Sequence, residues 1–312
     1  MIKQSSILNI DCRLLNVECK RGRAVSRFLF YTLQLALLIF LTIGCYEPVE
    51  DCLDIRATNY AVDADNPCPD CCSYPEIIMN FSHRAIEPDT SFNLVLIDSV
   101  YEDGANNPFT IKEIQFFISN LRVIAESGVE VGVSDRVEIS IPLPDGEVTL
   151  DSIEDNFALV DPSDFRASTI GTFASPGTYT AIRFTIGIEE PANQADPDAL
   201  PEDHPLTTPD MHWSLDSGYV FNRIELFNDT TAADTIPFII EIGGVGQTRE
   251  VSLDFGQTFR LDNGFNLSLT LQIDYLSWFS TVNVKEDSAE TMAAKIVEQV
   301  AESFSLIAVE PD

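Results

Sequence analysis

The sequence predicts an all-β protein, built as a β-sandwich or a Greek-key barrel with long loops and a C-terminal amphipathic helix. Three observations support this fold class. Apolar and polar residues alternate along several segments, turn-forming clusters such as residues 105–108 and 262–264 separate those segments, and helical periodicity is confined to the C-terminus. Many short strands with turn-rich spacing are typical of antiparallel sandwiches and barrels.

The clearest predicted strand covers residues 266–275. Leucine, isoleucine and tyrosine side chains alternate there with polar ones, which is the pattern of a strand with one buried and one wet face. Further strands are predicted at residues 77–81, 92–99, 111–124, 179–188, 219–227, 237–242 and 249–255. Tyr219 and Phe221 are expected to be packing residues, and Trp278 a core residue.

Two long insertions and a helix complete the predicted domain, which spans residues 76–312. The insertions cover residues 143–170, with a short helix expected near 162–166, and residues 189–217. Such long loops in a compact domain are usually functional or disordered. Met292, Ile296, Val300 and Phe304 are spaced four apart, which predicts an amphipathic helix over residues 286–304.

The N-terminus carries the features of an export signal. Arg21, Arg23 and Arg27 precede an apolar run over residues 28–44, which ends at Cys45. Its last residues, 42–45, resemble a bacterial lipobox, so residues 1–44 are predicted to be a lipoprotein signal peptide and Cys45 to carry lipid. The chain would then be a periplasmic or outer-membrane lipoprotein of the cell envelope, held at the membrane by that anchor. The alternative is an N-terminal membrane-spanning anchor.

Residues 45–75 are predicted to form a disulfide-stapled spacer. Cys52, Cys68, Cys71 and Cys72 form an even set in an exported segment, which indicates two disulfides. A bond between adjacent Cys71 and Cys72 would be strained. This leaves Cys52–Cys71 with Cys68–Cys72, or Cys52–Cys72 with Cys68–Cys71. A four-thiolate zinc site and a calcium site on nearby asparagine and aspartate oxygens are the alternatives.

Composition and motifs exclude several function classes. The net charge of −32 repels nucleic-acid phosphates, so no nucleic-acid partner is expected. The sequence contains no nucleophile elbow, zinc-protease motif, P-loop or dinucleotide turn, and we therefore predict a binding protein and not an enzyme. A hydrolase with a carboxylate dyad is a minor alternative.

Histidine is the scarce residue that could hold a metal. His83 ends an early predicted strand, whereas His204 and His212 lie in the second insertion, where Trp213 directly follows His212. Imidazole and thioether groups are ligands that copper accepts well. A surface or hydrogen-bonded histidine is the ordinary alternative for each one taken alone.

Four sequence blocks, in this order and spacing, resemble the MbnP family of exported copper proteins associated with methanobactin systems. The blocks are Asn80-Phe81-Ser82-His83-Arg84, residues 107–122, residues 175–188, and Asp203-His204-Pro205-Leu206 continuing to Met211-His212-Trp213-Ser214. The resemblance spans about residues 76–279.

The resemblance implies a β-rich fold and a copper site that uses histidines and an oxidised tryptophan. In that family a di-haem peroxidase-like partner, MbnH, converts a tryptophan to kynurenine. By motif, His83 and His212 become candidate copper ligands, His204 the reserve ligand, and Trp213 the candidate modified residue. The predicted function is copper sequestration or delivery. The alternative is a metal-free structural or glycan-binding module that uses Trp213 and Tyr219 as stacking platforms.

Overall fold

This computed structural model describes residues 34, 46–143, 145–230 and 236–312, and they are arranged mainly in β-strands. The strands are β1 (Glu50–Asp51), β2 (Asn66–Pro67), β3 (Glu76–Glu87), β4 (Thr90–Asn93), β5 (Tyr101–Glu102), β6 (Pro108–Ala125), β7 (Glu130–Val131), β8 (Arg136–Pro142), β9 (Val148–Glu154), β10 (Ala158–Val160), β11 (Ser168–Thr172), β12 (Gly177–Ile186), β13 (His212–Ser214), β14 (Gly218–Phe227), β15 (Phe238–Gly243), β16 (Arg249–Leu261), β17 (Leu267–Asp274) and β18 (Phe304–Pro311).

The α-helix of the described residues is α1 (Ala289–Val297). Short 3-10 helices lie at Pro69–Cys71, Ala192–Gln194, Pro197–Ala199, Pro205–Thr207, Leu276–Phe279 and Val300–Ser303. The predicted strands 77–81, 111–124, 179–188, 219–227, 237–242, 249–255 and 266–275 all correspond to observed strands. The strand predicted at 92–99 is shorter, because β4 ends at Asn93.

Two large sheets form the body of the molecule. The larger one has nine strands in the order β13-β14-β6-β12-β16, with β15 on β14 and with β5, β7 and β10 on β6. The smaller one has five strands in the order β11-β3-β17-β18, with β4 on β3. Neighbouring strands of these sheets are antiparallel except β3 and β17, which run parallel.

The two sheets share one hydrophobic core, so the predicted all-β sandwich is confirmed. Phe304 of the smaller sheet packs edge-on against Phe116 and Phe184 of the larger one, with ring centroids 6.1 and 5.4 Å away. Burial alternates strictly along β17, and its leucines are fully buried. Trp278 is also fully buried, as predicted, and its Nε1 donates to Ser303 Oγ at 2.9 Å.

The C-terminal helix is shorter than the sequence pattern indicates. Ser288 caps α1 by accepting a hydrogen bond from Thr291 N, and the helix ends at Val297. Met292, Ile296 and Val300 are buried as predicted, but Val300 lies in a 3-10 turn and Phe304 begins β18. The predicted extent of 286–304 is therefore wrong, because residues after 303 pair with β17 and complete the smaller sheet.

The helix expected near residues 162–166 is also wrong. Aspartate-based turns form there instead. Asp161 accepts from Ser163 N at 2.8 Å, and Asp164 accepts from Arg166 N at 3.0 Å. Aspartate side chains that bond the backbone two residues later favour turns over helices.

Residues Glu50–Asp312 form one compact unit, which includes the Cys-rich segment. A second unit, Met1–Val49, contains the predicted signal peptide and Cys45; apart from Gln34, residues 1–45 lie outside those that the structure describes. Within the described part, no helix has both the length and the apolar character needed to cross a bilayer.

Candidate metal centre

His212 is the candidate ligand that has a buried ring nitrogen without a hydrogen-bond partner among the described residues. It lies at the start of β13, opposite Tyr219 on β14, and the two rings pack edge-to-face with centroids 4.7 Å apart. Its Nε2 is buried and has no hydrogen-bond partner among the described residues. Burial lowers the pKa of His212, although Asp196 and Asp198 oppose that shift. The imidazole is therefore neutral near pH 7, which is the form that binds metals.

Other polar groups near the start of β14 also lack partners. Tyr219 is fully buried, and neither its hydroxyl nor the side-chain amide of Asn222 is hydrogen-bonded among the described residues. Burial raises the pKa of Tyr219, and Asp196 adds to the effect. An unsatisfied buried polar group typically costs about 1–3 kcal/mol. The sequence predicts Tyr219 as a packing residue, which its burial confirms, but no sequence pattern indicates that its hydroxyl is left unpaired.

Trp213 lines a groove between β15 and α1. Its side chain is 40 % exposed, and Nε1 donates to Glu241 Oε2 at 2.7 Å. The groove has a volume of about 630 Å³ and includes Ala293 on its helix side. A Cβ on Gly243 would lie 2.8 Å from the indole, so this glycine provides the space for Trp213. The adjacent residues His212 and Trp213 thus have different surroundings, one enclosed and one accessible from the groove.

His204 has both ring nitrogens engaged in holding the second insertion together. Nδ1 accepts from Leu206 N at 3.2 Å, which caps the 3-10 helix Pro205–Thr207. Nε2 therefore carries the proton, and it donates to Asp155 Oδ1 at 3.1 Å. A metal at either nitrogen would displace one of these bonds.

His83 lies on β3, and its ring contacts Tyr275, a fully buried residue that directly follows β17. Its Nδ1 is 2.8 Å from the hydroxyl of Tyr275, and the two rings stack with centroids 5.7 Å apart. Burial lowers the pKa of His83 to about 4, with a smaller opposing effect from Asp161. The ring is therefore neutral near pH 7, and Nε2 is the nitrogen that could bind a metal.

The three imidazoles contact three different sets of residues. Over residues 46–143, 145–230 and 236–312, no group of three or more His, Cys, Asp and Glu side chains is arranged to hold a metal ion. One copper ion shared by His83, His204 and His212 does not fit this arrangement. The orphaned Nε2 of His212 does fit a metal-binding nitrogen, and the individual roles of the three histidines stay predictions.

The structure contains one of the two disulfides in the predicted pairing Cys52–Cys72 with Cys68–Cys71. Cys52 and Cys72 form a disulfide, whereas Cys68 and Cys71 are free thiols. Interaction with the neighbouring Cys68 side chain, together with burial, raises the pKa of Cys71 to about 11. The zinc alternative fails, because two of the four sulfurs are already bonded to each other. Asn59 is one of the asparagines that the calcium alternative would use as a ligand. Its side chain instead forms two hydrogen bonds: Nδ2 donates to Cys71 O, and Oδ1 accepts from Ser73 N.

The fold and these side chains define an all-β sandwich protein with a partly enclosed histidine beside an accessible tryptophan. The MbnP family model matches residues 75–293. The chain belongs to the MbnP family, and this membership indicates a methanobactin-associated, copper-related role.

Comparison with solved structures and with curated proteins adds little. The chain is similar to MbnP from Methylosinus trichosporium at 13% identity and a TM-score of 0.40, over 66% of this chain and 78% of that one. No curated protein matches the sequence significantly.

Proposed function

We propose that this chain is an exported copper-binding protein of the cell envelope, in which His212 is a copper ligand. The observation that supports the proposal is the buried, unpartnered Nε2 of His212 in a member of a copper-related family. Imidazole nitrogen is a good ligand for copper. The neutral ring can bind a metal without losing a proton, and the role that we propose for the chain is to bind copper for sequestration or delivery.

His83 and His204 differ in how readily each could serve as a copper ligand. His83 can offer Nε2 while Nδ1 keeps its bond to Tyr275, so it is the second candidate ligand. His204 would have to give up either the helix cap or the bond to Asp155, and it is therefore the weakest of the three. Tyr219 is a further candidate ligand, because its buried hydroxyl lacks a partner among the described residues and its ring packs against that of His212.

A copper titration of the purified chain tests the ligand assignment. We expect His212→Gln to weaken copper binding at least about tenfold, which corresponds to about 1.4 kcal/mol. His204→Gln is the matched control: it should lower the free energy of unfolding by about 1–3 kcal/mol through lost hydrogen bonds, with copper affinity unchanged. Equal affinity in the wild type and His212→Gln would reject His212 as a ligand.

The environment of Trp213 supports oxidation of this residue by an external enzyme. The indole is partly exposed and borders a groove, so a di-haem peroxidase-like partner of the MbnH type could reach it. Such a partner would have to supply the oxidant, because conversion to kynurenine opens the pyrrole ring, adds oxygen and releases one carbon as formate. Trp278 is fully buried and serves as an internal control, because it should stay unmodified.

Export and lipidation belong to the same proposal. The Cys52–Cys72 disulfide fits an oxidising compartment outside the cytoplasm. Residues 1–44 would be removed, and lipid on Cys45 would hold the chain at the membrane. Intact mass and peptide mapping of the chain from its native host test both modifications. We expect a lipidated Cys45 at the new N-terminus and an altered mass on the Trp213 peptide; an unmodified Trp213 would contradict the oxidation.

The metal-free glycan-binding alternative is weakened by the position of Tyr219. A stacking platform must be exposed, yet Tyr219 is fully buried. Trp213 alone keeps the exposure that a sugar ring would need.

A further inference from the structure

The segment Cys68-Pro69-Asp70-Cys71 places two free thiols side by side. Cys71 Sγ donates to Cys68 O at 2.9 Å, which holds the two cysteines against each other. Both residues are partly exposed, so neither is sealed in the core. Cys52 and Cys72 do not compete for a ligand, because they are bonded to each other.

The surrounding backbone holds the two thiols together before any ligand arrives. Cys68 N donates to Asp51 O at 3.0 Å, next to the short parallel pair of β1 and β2. Residues Pro69–Cys71 form a 3-10 turn, which brings residue 71 back over residue 68. Asn59 Nδ2 donates to Cys71 O at 2.8 Å, and the Cys52–Cys72 bond fixes the next residue along the chain. A preorganised pair loses less conformational freedom on binding.

The donor set selects the kind of ion. Two sulfurs without a third His, Cys, Asp or Glu arranged beside them, among the residues described, make a site of low coordination. Zinc in structural sites takes four ligands and calcium takes six or more oxygens, whereas soft thiolates select Cu(I). The segment is also strongly acidic: Arg56 is the only basic residue in 46–75, against Glu47, Glu50, Asp51, Asp54, Asp63, Asp65 and Asp70. This charge favours the approach of cations.

We propose that Cys68 and Cys71 bind one Cu(I) ion through their two sulfurs, at a site separate from His212. Each thiol loses its proton to solvent as its copper–sulfur bond forms, and copper does not change oxidation state. The site goes beyond the proposed function, because it depends on neither the histidines nor Trp213. It would allow this chain to hold reduced copper in the Cys-rich segment as well as copper in the β-sandwich.

Anaerobic titration of the full chain with Cu(I), held by a chromophoric chelator, tests the proposal. We expect Cys68→Ser and Cys71→Ser, each made singly, to bind one Cu(I) fewer per chain than the wild type. Ser73→Ala is the matched control in the same segment and should keep the wild-type number. His212→Gln should also keep the sulfur-bound copper, so failure at His212 and failure at the thiols can be told apart.

Alkylation of the unmutated protein gives an answer that does not depend on folding of the variants. Peptide mapping should show Cys68 and Cys71 alkylated in the metal-free chain, and added Cu(I) should protect both. The proposal is overturned if copper leaves their reactivity unchanged. It is also overturned if Cys68 and Cys71 of the chain isolated from the cell envelope stay unreactive after a chelator has removed bound copper, because an oxidant of that compartment has then joined the two sulfurs.

Discussion

At the scale of single residues, the three histidines differ because the bonds around each ring differ. His204 is a structural residue with both nitrogens engaged. His83 is buried and shares one nitrogen with Tyr275. His212 keeps Nε2 unpartnered. Identical side chains thus differ in which ring nitrogens already have a hydrogen-bond partner, and the fold decides this by the groups that it places around each ring.

The depressed pKa of His83 leads to a prediction about stability and pH. The ring binds a proton at about pH 4 in the folded chain, against an ordinary value of 6.5. The unfolded chain therefore takes up the proton first as pH falls, so stability present above about pH 6.5 is lost as pH falls to about 4. The loss amounts to about 3 kcal/mol.

Urea unfolding of the metal-free chain between pH 7 and pH 4 measures this loss. His83→Gln keeps a polar side chain but does not titrate. The unfolding free energy of the wild type minus that of the variant should therefore fall by about 3 kcal/mol from pH 7 to pH 4. A constant difference across that range would show that burial does not depress the pKa of this histidine.

At the scale of elements, the end of the chain shows how pairing competes with helical periodicity. The apolar spacing from Met292 to Phe304 suits one continuous helix, yet α1 stops at Val297. Phe304–Pro311 instead forms β18 beside β17, which gives the edge of the smaller sheet a hydrogen-bonded neighbour. This strand pairs residue by residue with β17 and places Phe304 in the core against Phe116 and Phe184, which a continued helix would not do.

The cap of α1 can be tested by removing one hydroxyl. Ser288 Oγ accepts from Thr291 N at 3.2 Å, and α1 packs on β15 beside the groove of Trp213. Ser288→Ala should lower the free energy of unfolding by about 1 kcal/mol. The exposed Ser305→Ala in β18 is the control and should change stability by less than about 0.5 kcal/mol. Equal effects in chemical denaturation would argue against the cap.

At the scale of the whole molecule, charge is the dominant property. A net charge of −32 makes the folded chain repel itself, and its exposed ion pairs, such as Arg166 with Asp164, contribute little to offset this. The same field attracts cations to both proposed copper sites. The negative charge therefore favours the approach of cations and weakens the compact state.

Salt should separate these two consequences of the charge. Raising ionic strength from about 0.01 M to 0.15 M shortens the screening length from about 30 to 8 Å, so repulsion falls while the short ion pairs are screened less. We expect the thermal unfolding midpoint to rise and the rate of copper association to fall. An unfolding midpoint that drops with added NaCl, with sucrose as the uncharged control, would show that ion pairs outweigh the repulsion.

The sequence by itself determined the strands, the buried face of β17, the core role of Trp278 and the family, because alternation and motif order are local properties of the chain. Only the tertiary structure decided that Cys52 pairs with Cys72 and that His204 is fully engaged. It also decided that residues after 303 form a strand and that Tyr219 is buried beside His212. Those outcomes depend on partners distant in sequence, such as Asp155 for His204, and no local pattern encodes which distant group supplies a bond.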